Sequence, residues 1–375
     1  MLMDCMIGFV IAFVISFAAT PLVRKVAIKI GAIDVPLDNR RMHTKPTPLM
    51  GGLAIFFGII IALIFGICVS YFEYDELVFD NRIIGYIIGA TIILLMGIVD
   101  DLKSIKARYK LIIQIIAAGI VVYFGVSIGS IANPFMNGEY FNLGWLEIPL
   151  TILWIVGITN AINFIDGLDG LATGITCISS LSLLFVFILT GQSMAAIFLA
   201  IILAGATLGF LPYNFNPAKI FMGDTGSNFL GFTLAILSIL GLAKTYTFIA
   251  ILAPIVILAL PIFDTGFAVI RRLINRRPLM EADKGHIHHK LIGKGLTTKQ
   301  VVFILYIVCI LLGMLAIVLV EASLWKVIVL VIAIMVFVYA GIKHINESAD
   351  VALLCVNTSQ ENKDNQDNKE DKDAN

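Results

Sequence analysis

Long apolar runs broken by short polar segments set the pattern of this chain. Runs at about 6–21, 50–70, 83–99, 111–128, 148–164, 171–190, 194–211, 228–243, 247–270, 301–320 and 324–342 each approach or exceed the roughly 17 residues that a helix needs to cross lipid. The pattern predicts an all-α polytopic integral membrane protein with about eleven transmembrane helices. A membrane domain over residues 1–343 is then followed by a polar stretch, 344–375, that reads as a disordered cytoplasmic tail.

Charge placement orients the helices. No basic residue precedes the first run and Arg24-Lys25 follow it, the reverse of a cleaved signal peptide, so this run reads as a retained helix with its N-terminus outside. Counting onward puts Arg24 to Lys45, Lys103 to Lys110, Lys219, Arg271 to Lys299 and the C-terminal tail inside, with Arg82, Lys244 and Lys326 outside. That asymmetry follows the positive-inside rule.

Composition adds two exclusions. With 59% hydrophobic residues, 14% charged and a formal net charge of zero, nothing here points to nucleic acid. Cys5, Cys68, Cys177, Cys309 and Cys355 lack metal-ligand spacing and read as small buried side chains, so neither disulfides nor a zinc site are expected.

By this topology the unusual polar clusters all fall on the inner face. Asn160, Asn163 and Asp166 follow one another at three-residue spacing, share a broad helical face and can converge on one ligand. Asp166-Gly167 and Asp169-Gly170 then supply turn chemistry. Carboxylates and amide oxygens are ligands that Mg²⁺ takes beside water and phosphates; a loop with helix-capping Asn is the bland alternative. Asp100-Asp101 end the third helix, where they oppose its dipole and each other, so a cation or a catalytic proton explains them better than stability does. Lys103, Lys106, Arg108 and Lys110 follow.

In the first inner loop, Asp34-Val35-Pro36 precede a basic, proline-stiffened run to Gly52, in which Arg41 or Lys45 can meet a phosphate or anchor to anionic lipid. Asp224, between Gly223 and Thr225, suits a metal-phosphate site or the capped start of the eighth helix, and Phe221 can stack on a base. Asp264 is a lone carboxylate in an apolar run, so it faces the same cavity or pairs with Arg271 or Arg272. His286, His288 and His289 lie among cations and suit a phosphate and sugar clamp better than a transition metal. Metal-holding carboxylates ringed by Lys, Arg and His fit phosphoryl transfer from an anionic donor, and a site at the bilayer favours a lipid acceptor.

These residues resemble the polyprenyl-phosphate N-acetylhexosamine-1-phosphate transferases. The likeness runs in order through Asp34-Val35-Pro36, Lys45 to Gly52, Asp100-Asp101, Asn160 to Ala172, Phe221 to Ser227 and His286-Ile287-His288-His289. It implies a Mg²⁺-dependent reaction, with Mn²⁺ as a substitute, at the cytoplasmic face of a bacterial plasma membrane. A polyprenyl phosphate, usually undecaprenyl phosphate, attacks the β-phosphorus of a UDP-amino sugar and UMP leaves. By similarity, Asp224 coordinates the metal with Asn163, Asp100 and Asp101 lie at the reacting phosphate, and Asp166 is a further catalytic or structural candidate. Asp169 and Phe221 recognise uracil, while Lys45, Lys110, His286, His288 and His289 hold phosphates and sugar. Attack by a covalent Asp nucleophile and direct attack by the lipid are both open. A homodimer is compatible with the sequence, though no dimer patch is readable.

The His-Ile-His-His form looks like the UDP-N-acetylglucosamine branch, which starts teichoic acids, O-antigens and other envelope glycans. Ile287 and Lys290-Leu291 depart from the phospho-N-acetylmuramoyl-pentapeptide branch, the alternative within the family. An ion-coupled transporter is the rival of another class, but its carboxylates would sit near the midplane at a repeat interface, and no repeat is visible. A non-catalytic membrane scaffold leaves the polar loops unexplained.

Overall fold

A computed structural model describes residues 2–36, 45–73, 80–132, 140–241, 248–276 and 286–321. The helices are α1 (Leu2–Ile30), α2 (Gly52–Glu73), α3 (Asn81–Lys103), α4 (Ala107–Tyr123), α5 (Glu147–Ile165), α6 (Leu171–Leu189), α7 (Met194–Asn214), α8 (Gly223–Leu240), α9 (Phe248–Ile257), α10 (Ala259–Ile274), α11 (Ile287–Gly293) and α12 (Thr298–Glu321). Two short antiparallel pairs join them: β1 (Ile33–Asp34) with β2 (Thr47–Pro48), and β3 (Ser130–Ala132) with β4 (Tyr140–Asn142). Each apolar run expected up to residue 320 is helical; the run at 324–342 and the tail lie outside the described residues.

Among the described residues seven helices are long and apolar enough to cross a membrane: α1, α2, α3, α5 with its preceding turn, α6, α7 and α12. The expected bounds shift most in four places, the first being the run at 111–128, where α4 begins at Ala107 and already ends at Tyr123. α1 continues through Pro21 to Ile30, past the apolar run and into its basic flank. The single span expected over 247–270 is two helices, α9 and α10, with a break at Leu258. Pro261 has no N–H to donate to the carbonyl four residues earlier, which is where the ladder fails. α8 starts at Gly223, ahead of its apolar run, because its polar first turn is built into the site.

α8 is the hub. Every residue from Thr225 to Leu240 is buried, and the helix packs on α2, α3, α5, α6 and α7. Protein surrounds it on all sides, so it tolerates a polar N-terminal turn that a lipid-facing helix would not. Its approach to α3 is close: a Cβ on Gly97 would lie 2.4 Å from Thr225 Cα. The chain before α8 is held by paired backbone bonds, Phe221 N to Pro48 O (2.8 Å), Gly51 N to Phe221 O (3.0 Å) and Gly52 N to Met222 O (3.1 Å). These bonds tie the entrance of α2 to the entrance of α8. As a result the C-terminal ends of α1, α3, α5 and α7 and the N-terminal ends of α2, α8 and α12 meet at one end of the bundle.

Candidate active site

At that end lies a cavity of about 750 Å³, lined from every one of these helix ends. Asp100, Asp101, Asn163, Asp166, Asp169, Phe221, Asp224 and His289 all contribute to its wall, with Asp34, Asn214, Asn216 and Ser227. Eight of the twelve residues given roles by the resemblance are therefore brought together around one space.

The adjacent carboxylates of α3 have different partners. Asp101 turns to the start of α8: its Oδ1 accepts from Asp224 N at 2.8 Å, and its Oδ2 accepts from Thr225 Oγ1 at 2.6 Å and Thr225 N at 3.2 Å. It thus satisfies orphan N–H groups of a helix N-terminus from another helix, with charge of the sign the dipole favours. Gly223 permits this, since it has φ of 71° and a Cβ there would sit 2.3 Å from Asp101 Oδ2. Asp100 is buried; its carboxyl accepts from Ile105 N and pairs with Lys110 Nζ.

Lys110 also reaches Asp224 Oδ1, at 3.3 Å, and so bridges two carboxylates. The same Oδ1 accepts from Asn163 Nδ2 at 2.7 Å and Asn228 Nδ2 at 3.0 Å. Asn163 donates further to Ser227 Oγ at 2.8 Å. Asp166, in the turn after α5, is held well above the ordinary carboxylate range by burial and then by the nearby charges of Asp224, Asp101 and Asp169. Asp169 Oδ2 accepts from Asn216 Nδ2 at 2.9 Å and Ala218 N at 3.0 Å, which pins the loop between α7 and α8 beside Phe221.

Among the described residues no three His, Cys, Asp or Glu side chains form a metal-holding set by themselves. The donor chemistry still fits a hard divalent cation, because Mg²⁺ is held through one or two carboxylates completed by water and substrate phosphates. Two features support the fit: an ammonium already bridges Asp100 and Asp224, and burial, added to by the neighbouring carboxylates, holds Asp166 toward its protonated form.

The histidines separate. His289 lines the cavity. His286 does not; its Nδ1 meets Asp264 Oδ2 at 2.8 Å, and Asp264 Oδ1 accepts from Ile287 N at 2.9 Å, so Asp264 caps the start of α11. Of the two readings open for Asp264, neither a free place in the cavity nor an arginine partner is what these bonds describe. His288 is 2% exposed, packs on Gly167 and leaves Nε2 without a hydrogen-bond partner among the described residues. Burial, then the neighbouring His289 and His286, lower it to about 4, so it is neutral. Lys45 is exposed ahead of β2, and Lys110 sits behind the cavity wall at Asp100. Asn160, expected to converge with Asn163 and Asp166 on one ligand, bonds Gln114 Oε1 at 2.7 Å and is not part of the cavity wall. Gln114 went unremarked in the sequence; its signal is a single amide in an apolar run, four residues after Lys110.

The glycosyl transferase family 4 signature matches residues 83–242. The chain is 44% identical over 341 residues to a probable undecaprenyl-phosphate N-acetylglucosaminyl 1-phosphate transferase of Bacillus subtilis (strain 168), covering 90% of this chain and 92% of that protein. It is 33% identical to a decaprenyl-phosphate N-acetylglucosaminephosphotransferase of Mycobacterium tuberculosis (strain ATCC 25618 / H37Rv), over 80% of this chain and 79% of the other. A phospho-N-acetylmuramoyl-pentapeptide-transferase of Clostridium botulinum (strain Eklund 17B / Type B) is 34% identical over 63% of this chain and 72% of its own length.

Proposed function

The chain belongs to glycosyl transferase family 4 and is a polyprenyl-phosphate sugar-phosphate transferase; on that premise we propose the substrates, the site roles and the membrane orientation. The donor is UDP-N-acetylglucosamine and the acceptor undecaprenyl phosphate, at the cytoplasmic face of a bacterial plasma membrane. An oxygen of the lipid phosphate bonds to the β-phosphorus of the donor, the bond from that phosphorus to the bridging oxygen breaks, and UMP leaves with the electron pair. The product is the first lipid-linked intermediate of an envelope glycan.

The observation that carries this reading is the Asp100–Lys110–Asp224 bridge at the wall of a cavity that also presents Asp169 and Phe221. Asp224, with Asn163 and Asp100, would hold Mg²⁺ or Mn²⁺, which when bound neutralises charge on the diphosphate. Lys110 acts on the donor phosphates from behind the wall, as a compact positive charge held by Asp100 and Asp224. Asp169 and Phe221 receive the uracil by hydrogen bonding and stacking, and His289 faces the sugar phosphate. Asp166, held toward its protonated form, donates a hydrogen bond to a phosphate oxygen, and the lipid phosphate attacks as the dianion it largely is near pH 7, with no proton to lose. Asp101 keeps the first turn of α8, and with it Asp224, in place rather than reacting, since both its oxygens are engaged. Direct attack by the lipid follows, because Asp100 is already paired with Lys110 and is a poor nucleophile. His286 and His288 support His289 from behind, and Lys45 waits at the exposed rim for a lipid phosphate.

The test is UMP release by the purified protein with Mg²⁺, undecaprenyl phosphate and UDP-N-acetylglucosamine, beside UDP-N-acetylmuramoyl-pentapeptide. Release from the first donor alone is expected. Release from the second alone would keep the chemistry and overturn the donor, and turnover without the lipid would overturn the acceptor.

A further inference from the structure

Behind the reacting groups lies a second polar layer, none of whose members lines the cavity. Three helices each carry a pair of polar residues about one turn apart on one face: Lys110 and Gln114 on α4, Asn163 and Asn160 on α5, Asp224 and Asn228 on α8. The first member of each pair belongs to the bridge at Asp224. The second members bond to one another in a chain. Asn160 Nδ2 donates to Val156 O at 2.8 Å and to Gln114 Oε1 at 2.7 Å; Gln114 Nε2 donates to Asn228 Oδ1 at 2.9 Å; Asn228 Nδ2 donates to Asp224 Oδ1 at 3.0 Å. Gln114 is 2% exposed and Asn228 1%.

The direction of this chain is determined by chemistry. A backbone carbonyl can only accept, so Val156 O requires the NH₂ of Asn160. That amide then presents its second proton to Gln114, which must accept with Oε1 and donate with Nε2. Asn228 is oriented from the other end as well, because its Nδ2 also donates to the backbone carbonyl of Asp224 at 3.0 Å, which leaves its Oδ1 facing Gln114 Nε2. Flipping Gln114 would set two donors facing Asn160 and Gln114, and two acceptors facing Gln114 and Asn228, in a buried place where unpaired polar atoms are costly.

We propose that Gln114 is a positioning residue that relays the packing of α4 to Asn228 by gripping its Oδ1, keeping the Nδ2 N–H aimed at Asp224 Oδ1 and the carboxylate oriented for a divalent cation. The proposal rests on the reading of Asp224 as the metal carboxylate. Gln114 contacts neither substrate nor metal; its contribution passes through Asn228 alone.

The test uses the full-length protein in detergent without substrates, with Mn²⁺ binding read from the loss of the free-ion electron paramagnetic resonance signal. Gln114→Met and Asn228→Leu are neutral, near-isosteric replacements. Each is expected to weaken Mn²⁺ binding by roughly tenfold, the lower end of what loss of an outer-shell partner does, and to raise by the same factor the Mn²⁺ needed for half-maximal UMP release. Adding Gln114→Met to Asn228→Leu should weaken binding no further, because links in series share one effect. Unchanged Mn²⁺ affinity in Gln114→Met, or effects that multiply in the double variant, would overturn the relay. Should Gln114→Met fail to give monodisperse protein, Gln114→Leu poses the same question with the same two outcomes. Asp224→Asn separates the premise: if it binds Mn²⁺ like the parent, the metal reading falls and takes the relay with it, whereas loss of binding there with none in Gln114→Met overturns the relay alone.

Discussion

Asp224 and Asp264 are both carboxylates near the same end of the bundle, and their surroundings put them to different use. Asp224 accepts from Asn163, Asn228 and Lys110 on a single oxygen and lines the cavity. Asp264 spends one oxygen on the His286 ring and the other on the backbone of Ile287, is 4% exposed, and is absent from the cavity wall. In the first case charge is gathered beside a space large enough for a ligand; in the second it is consumed in holding α11 against α10. A carboxylate at the membrane boundary is thus no signature of catalysis by itself. What distinguishes the two is whether the carboxylate stands at a cavity.

The comparison breaks most visibly under single substitutions. Asp224→Asn should reduce UMP release by at least about a hundredfold, the scale of losing an electrostatic group at a transferring phosphate, with little change in melting temperature; a variant that stays active would remove Asp224 from the chemistry. Asp264→Ala should do the reverse. Loss of one partner of a buried, bonded pair costs about 3–5 kcal/mol, so the melting temperature should fall by several degrees while His289 is loosened, and an unchanged melting curve would show that α11 has another anchor. Asp101→Ala belongs between them: loss of a cap costs about 0.5–2 kcal/mol, and because α8 carries Asp224, activity should drop together with stability.

Two smaller effects sharpen the contrast. Asp169→Asn should raise the UDP-sugar KM by roughly tenfold, about 1.4 kcal/mol for one charge-assisted bond in the loop it holds, with kcat little changed; an effect confined to kcat would place Asp169 at the phosphate instead. His288 provides a pH test of the closed cluster. Folded His288 titrates near 4 against an ordinary 6.5, so below about pH 6.5 the unfolded chain takes up a proton that the folded chain refuses, and stability falls until about pH 4. The melting temperature of the parent should therefore drop more between these values than that of His288→Asn, and equal slopes would show that His288 does not carry this dependence.

Much of the outline is legible in the chain because lipid imposes a coarse rule: a run of apolar residues near the spanning length has one stable backbone solution, and the runs up to residue 320 are helical accordingly. The rule fails where lipid is not the surroundings. α8 opens with Gly223-Asp224-Thr225-Gly226 inside protein, so its polar turn hid five residues of helix, and Pro261 divided a run whose hydropathy is continuous.

The site divides along the same line. Residue type and spacing alone gathered Asp100, Asp166, Asp169, Asp224 and Phe221 into one expectation, since paired carboxylates, Asp-Gly turns and a glycine-flanked Asp at a helix start each conflict with an apolar environment and demand a reason. Only the tertiary structure decided which member of each group faces the cavity. Asp100 and Asp101 are adjacent in sequence, but about 100° apart around a helix, so one meets Lys110 and the other the start of α8. The same holds for the histidines: the ring of His286 is fixed by Asp264 on a separate helix, His288 is buried against Gly167, and His289 lines the cavity. Gln114 shows the limit most plainly: a lone amide in an apolar run carries no partner in its own sequence, and its role exists only because α4, α5 and α8 pack closely enough to align three amides between a backbone carbonyl and Asp224.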